Sequence, residues 1–183
     1  TTVCSILSED GIKRWREDVG EKMADYIMIR SQTTGTEFHK IIEAYLKNEI
    51  RDSKRVLPKG LFAQTIPALN CIDNIQAQEM TLFSEELGLA GTVDCIAEFD
   101  CTPSIIDFKS ADKKKKDESY ILGYFVQATA YSLMFQEMTG QEIKQIVIII
   151  SAESGDVDVY IRNRDDYIPK LKEIIEIYNS RLT

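Results

Sequence analysis

The stretch Ile105-Ile106-Asp107-Phe108-Lys109, taken with Gly91-Thr92-Val93-Asp94-Cys95-Ile96-Ala97-Glu98-Phe99 just upstream, decides how this chain is read. Both segments are rich in β-formers and flank a turn signal at Asp100 to Pro103, so they predict two neighbouring strands. Side chains two apart on a strand share a face. Asp107 and Lys109 therefore point one way, and Ile106 and Phe108 enter the opposite layer. An acid and a base side by side at the end of an apolar strand suit a carboxylate that binds a metal beside an ammonium that holds or activates water. A single Asp-x-Lys is equally the mark of a cross-strand ion pair at a sheet edge. Asp94 lies inside a run where Asp is disfavoured unless it serves something. If the two strands pair, it comes beside Asp107. Facing carboxylates raise one another's pKa, and a divalent cation between them removes that cost. The competing reading leaves Asp94 in solvent at the strand start.

Outward from this pair, periodicity and turn residues predict the other elements. Glu79 to Glu85, Leu89 to Phe99 and Ser104 to Lys109 read as three strands, with Gly88 marking the first turn. A largely apolar helix follows from Ser119 to Met138, closed by Gly140. Gln145 to Ser151 and Asp156 to Ile161 read as two further strands, and Arg164 to Arg181 as a final helix. Upstream, Ile12, Trp15, Val19, Met23 and Ile27 predict a helix over Ser8 to Arg30. Phe38, Ile41, Ile42, Tyr45 and Leu46 predict a second over Thr36 to Ile50. Arg51 to Asn74, with Pro58, Gly60 and Pro67, reads as a linking region, with a short helix near Asp73 to Gln78. The order predicts an α/β fold, a mixed central sheet flanked by helices with a helical N-terminal elaboration. The 183 residues suit one domain, mainly helical over residues 1–75 and sheet-containing over 76–183.

Composition narrows the class. At 44% hydrophobic residues the chain can build a core without disulfides. The longest apolar run, Ile146 to Ile150, is only a strand's worth, so no membrane span is expected. Cys4, Cys71, Cys95 and Cys101 form no CxxC pair, which predicts reduced thiols in an intracellular protein and no four-cysteine cluster. No basic stretch precedes an apolar one at the N-terminus, so no secretory signal is expected. The chain opens on Thr1, and a targeting segment ahead of it would make the compartment organellar instead of cytoplasmic. The net charge of −8 counts against tight, non-specific nucleic-acid binding. It does not count against catalysis, because a bound cation reverses the local field of clustered carboxylates. Basic residues also gather at Lys47 to Lys59 and at Lys113 to Lys116, although a lysine run is more often a solvated loop.

Gln127 and Tyr131 are four apart, so they share a helical face in an apolar run. They can hydrogen-bond a lysine, a carboxylate or a phosphate, or belong to an ordinary core rim. His39 is the only histidine. It is a core or surface residue by default, and as a ligand it would favour manganese over magnesium.

Taken in order, Gly35-Thr36-Glu37-Phe38-His39, Gly91-Thr92-Val93-Asp94, Ile105-Ile106-Asp107-Phe108-Lys109-Ser110 and Gln127 with Tyr131 resemble the RecB-like branch of the PD-(D/E)xK nucleases. Within it they are most similar to the mitochondrial genome-maintenance exonuclease and related phage exonucleases. The likeness runs from Trp15 to Ile161. It implies a restriction-endonuclease-like core and a Mg²⁺- or Mn²⁺-dependent DNA exonuclease acting on single strands or ends, without an iron–sulfur cluster. His39, Asp94, Asp107 and the Phe108 carbonyl match the family's metal ligands, with Asp94, Asp107 and Lys109 as the catalytic residues. Lys109 would position the attacking water. Gln127, Tyr131 and Ser110 would support the site or contact DNA, and Glu79 falls where an acid sometimes contributes. Phe108-Lys109-Ser110 replaces the family's W-K-[ST]. Family members often thread a strand beneath a helical arch, a role open to Arg51 to Asn74 and the helices before it. Two rivals are an RNA endonuclease of the viral cap-snatching type and a catalytically idle nucleic-acid-binding member of the fold. The oligomeric state is open.

Overall fold

The structure, a computed structural model, describes residues 2–114 and 118–181. Its helices are α1 (Glu9–Val19), α2 (Glu21–Leu46), α3 (Val56–Leu69), α4 (Leu122–Thr139) and α5 (Ile168–Ser180). Its strands are β1 (Ile72–Ser84), β2 (Leu89–Phe99), β3 (Thr102–Ala111), β4 (Gln145–Ala152) and β5 (Val157–Asn163). They form one mixed sheet in the order β1-β2-β3-β4-β5. Every neighbouring pair is antiparallel except β3 and β4. A parallel pair needs a crossover, and α4 supplies it.

Each face of the sheet carries its own apolar layer. On one, α4 and α5 pack over Val93, Ile96, Ile105, Ile146, Ile148 and Ile150. On the other, Phe38 and Ile42 of α2 and Leu61 and Leu69 of α3 pack over Cys95, Ala97, Ile106, Phe108, Val147 and Ile149. Because β4 is covered on both faces, it reads as a continuous apolar run instead of alternating.

Two N-terminal expectations need correction. Residues 21–46 form one helix, not two with a break between Arg30 and Thr36. The threonines there are held inside it: Thr33 Oγ1 donates to the Ile29 carbonyl at 2.8 Å, and Thr34 is buried. Gly35 faces β3, where a Cβ would stand 3.5 Å from Ser110 Oγ. The chain breaks instead at Gly20, whose φ of 83° and ψ of 144° suit only glycine.

The predicted link over Arg51 to Asn74 contains α3, whose buried residues Pro58, Leu61, Thr65 and Leu69 are spaced by three and four. Two prolines and Gly60 masked that stripe. Pro58 falls in the first turn, where a missing N–H costs nothing. The short helix expected near Asp73 to Gln78 is instead the start of β1, an edge strand. Its pairing with β2 shifts register between Asp73 and Ala77, and such a bulge conceals strand alternation in the sequence.

The first half of α2 stands clear of the core. Before Thr34 it buries only Ala24, while Met23, Tyr26 and Ile29 are exposed. Arg16 of α1 ties the two helices together through Glu21 and through Asp25 at 2.7 Å. Among the described residues, no helix is long and apolar enough to cross a membrane.

Candidate metal centre

The sheet forks at Asp94 and Asp107. Pairing of β2 with β3 runs from Phe99↔Thr102 to Cys95↔Ile106 and stops there. Beyond that point β2 continues against β1 alone and β3 against β4 alone. The next residues in register, Asp94 and Asp107, stand one on each arm of the fork. Asp94 Oδ2 accepts the Phe108 N–H at 2.8 Å, so a carboxylate takes the place of the missing ladder carbonyl.

The same row is irregular on its other side. Gln78↔Cys95 and Met80↔Val93 are paired, and Glu79 and Asp94 fall between them unpaired. Ala77 and Met80 pack on the same layer although they are three apart, and so do Val93 and Ile96. Strand alternation therefore slips by one residue in both strands, at Glu79 and at Asp94. Glu79 has a φ of +49°, a conformation costly for a residue with a side chain and typical of functional positions. The two slips match, so the pairing on either side keeps its register.

His39 reaches this row from α2, held over the sheet by Phe38 and Ile42. His39 Nδ1 lies 3.5 Å from Asp94 Oδ1. One ligand atom each from His39, Glu79 and Asp94 lie within 4.8 Å of one another. A small enclosed space lined by these three with Ile42, Glu43 and Phe108 adjoins an open cleft of about 400 Å³ that runs along Gly35, Thr36, His39, Lys40 and Glu43.

Asp107 is 1% exposed. Lys109 Nζ lies 2.6 Å from Asp107 Oδ2, a buried ion pair. From α4, Tyr124 lies over Lys109, with Nζ 5.2 Å from the ring centroid, and Tyr131 comes within electrostatic reach of Asp107. Gln127 Nε2 donates to the Tyr131 hydroxyl at 2.8 Å.

Electrostatics follow from this crowding. Burial pushes the Asp107 carboxyl up to about 6; Lys109 opposes the shift and Asp94 adds to it. Burial acts upward on Asp94 too, but His39, Lys109 and the Phe108 N–H outweigh it and hold that carboxyl low. For His39 burial acts downward, and Asp94 and Asp107 outweigh it, so the imidazole is raised. Burial and then Asp94 raise Glu79. Burial would lower Lys109, but Asp107 and Asp94 prevail and keep it charged. Burial and then Asp107 push Tyr131 up to about 12.

Asp107 makes the linkage testable without any activity. Its folded value of about 6 lies above the ordinary 3.8. The folded state therefore holds that proton more tightly, and this contribution to stability falls as pH rises through that window. In chelator, urea unfolding of the wild type between about pH 4.5 and about pH 7 is expected to lose more stability than Asp107→Asn does. Parallel curves for the two proteins would refute the assignment.

The structure thus brings together Asp94, Asp107, Lys109, His39, Phe108, Gln127 and Tyr131, with Ser110 beside Gly35 of α2. It moves Glu79 from the margin to the middle of the cluster. The sequence reading missed Tyr124, whose only signal is its place three before Gln127 on one helical face. The basic stretches are largely engaged elsewhere. Lys47 pairs with Glu43, Arg51 with Glu37, Lys59 with Asp52, and Lys114 with Asp158 at 3.0 Å. Residues 115 and 116 of the lysine run lie outside the described residues.

Comparison with protein-family models and with curated proteins finds no match. Among solved structures, the chain is similar in fold to a candidate exonuclease from Eubacterium rectale, with a TM-score of 0.55 and 16% identity. The match covers 81% of this chain and 65% of that one. At this identity the likeness is one of fold, and it places an α/β core of the same architecture in both proteins.

Proposed function

We propose that this chain is a divalent-metal-dependent nuclease of the RecB-like PD-(D/E)xK type, hydrolysing phosphodiester bonds in DNA single strands or at DNA ends. One observation carries the reading: a fork in the sheet gathers His39, Glu79 and Asp94 into ligand distance beside a buried Asp107–Lys109 pair. A sheet that gives up pairing along one row and fills it with acids pays for that only where something cationic is held.

The donors fit such an ion. Three carboxylates and one imidazole suit Mg²⁺ or, with the softer nitrogen, Mn²⁺. Asp107 stands beside them, buried and paired with Lys109 at 2.6 Å. His39, Glu79 and Asp94 would hold the ion, with Asp107 and the Phe108 carbonyl available at the fork. A bound cation supplies charge neutralisation at the phosphate and a more acidic water.

The remaining work falls to the chain's own groups. Lys109, charged and only 21% exposed on its side chain, holds the attacking water and offers a proton-bearing group to the phosphate. Tyr131, fixed by Gln127, closes the wall behind Asp107 and keeps bulk water from it. The cleft over Gly35, Thr36 and Lys40 gives the phosphate backbone a way in.

The test is digestion of 5′- and 3′-labelled single-stranded DNA, duplex DNA and RNA with Mn²⁺, Mg²⁺ or EDTA. Metal-dependent shortening of DNA is the expected result, and the label lost first gives the polarity. Preference for RNA would move the assignment to an RNA endonuclease. No cleavage by the folded protein, together with no Mn²⁺ binding, would sink the reading and leave a binding scaffold.

A further inference from the structure

The Lys109 ammonium has two close neighbours of opposite kind. Asp107 Oδ2 stands 2.6 Å away, and the Tyr124 ring presents its face with the centroid at 5.2 Å. Tyr124, Gln127 and Tyr131 sit at i, i+3 and i+7 on α4, one stripe facing the sheet. The crossover geometry fixes the match between helix and strand. Seven residues of helix span roughly 10 Å, and the two strand residues they address, Asp107 and Lys109, span about 7 Å.

If Asp107 serves a cation, it cannot hold Lys109 with its full charge. An aromatic face meets that need, because its quadrupole attracts an ammonium most strongly where water is excluded. It also supplies no lone pair aimed at the metal, so it does not compete for the ligand position. A carboxylate in its place would do both.

We infer that Tyr124 is a positioning residue whose ring face holds the Lys109 ammonium towards the attacking water. The inference rests on the nuclease reading above. The ring, not the hydroxyl, does this. Tyr124→Phe and Tyr124→Leu therefore separate this role from plain packing.

The experiment is single-turnover cleavage of labelled single-stranded DNA with saturating Mn²⁺, beside Mn²⁺ titration and urea unfolding of each variant. Tyr124→Leu is expected to slow cleavage about tenfold or more, with Mn²⁺ affinity and half-saturating DNA concentration unchanged. Tyr124→Phe is expected to stay within about threefold of the wild type. If the leucine variant does not fold at the assay temperature, Tyr124→Met gives the same comparison. A double-mutant cycle in unfolding with Lys109→Met reads the contact without activity, and coupling is expected for leucine but not for phenylalanine. Full activity in Tyr124→Leu, a Tyr124→Phe as slow as it, or no coupling in the cycle overturns the inference while the nuclease reading stands. A wild type that cleaves nothing removes the nuclease reading first, and the inference with it.

Discussion

Asp94→Ala is expected to lose Mn²⁺ binding and cleavage together, with a rate loss of about 10³-fold or more. Asp94 ties three parts of the centre together. It faces His39 Nδ1, shares ligand distance with Glu79, and accepts the Phe108 N–H where the sheet forks. Truncation therefore removes a charge and also leaves a buried backbone donor unpaired, which costs about 1–3 kcal/mol of stability. Asp94→Asn separates the two effects, because an amide oxygen can still accept from Phe108. That variant should unfold at a denaturant concentration close to the wild type's while binding no Mn²⁺ by titration. An asparagine variant that binds the metal normally would show that Asp94 is a structural acceptor and nothing more.

Lys109→Ala is expected to do the reverse: keep Mn²⁺ binding and lose turnover by about 10²–10⁴-fold. The lysine is no ligand, and removing its ammonium leaves Asp107 a stronger anion for a cation. Metal affinity should therefore hold steady or rise, which titration of the folded variant would reveal. Cleavage measured with pre-bound substrate isolates the chemical step from binding. If the variant cleaves at the wild-type rate, the Asp107–Lys109 contact is only an ion pair on the sheet, the reading that an isolated Asp-x-Lys leaves open.

The elements around the site were legible because their physics is local. Runs of β-formers and turn residues marked β2 and β3, and the αL cap at Gly140 closed α4 where glycine predicted. The fork itself was half legible. Asp94 and Asp107 stood out as acids among β-formers, but where their strands stop pairing is a property of the whole sheet. Glu79 was harder still, since its role comes from a slip in alternation that leaves its sequence looking like any exposed edge. Tyr124 gave almost no signal, because an aromatic in an apolar helix is ordinary until its neighbour across the layer is known. In the N-terminal part, α3 was hidden by its prolines, and α2 looked like two helices because threonines and a glycine interrupt its middle.

The matched slips at Glu79 and Asp94 give the centre the character of a paired insertion. A chain lacking both residues would restore period-two alternation across this row, with Ala77 and Met80, and Val93 and Ile96, still on their layer. A chain lacking only one would turn half a strand inside out against its partner. The chemistry is thus spliced into the sheet as a unit, and single-residue deletions in this row should be far more damaging than the coordinated pair.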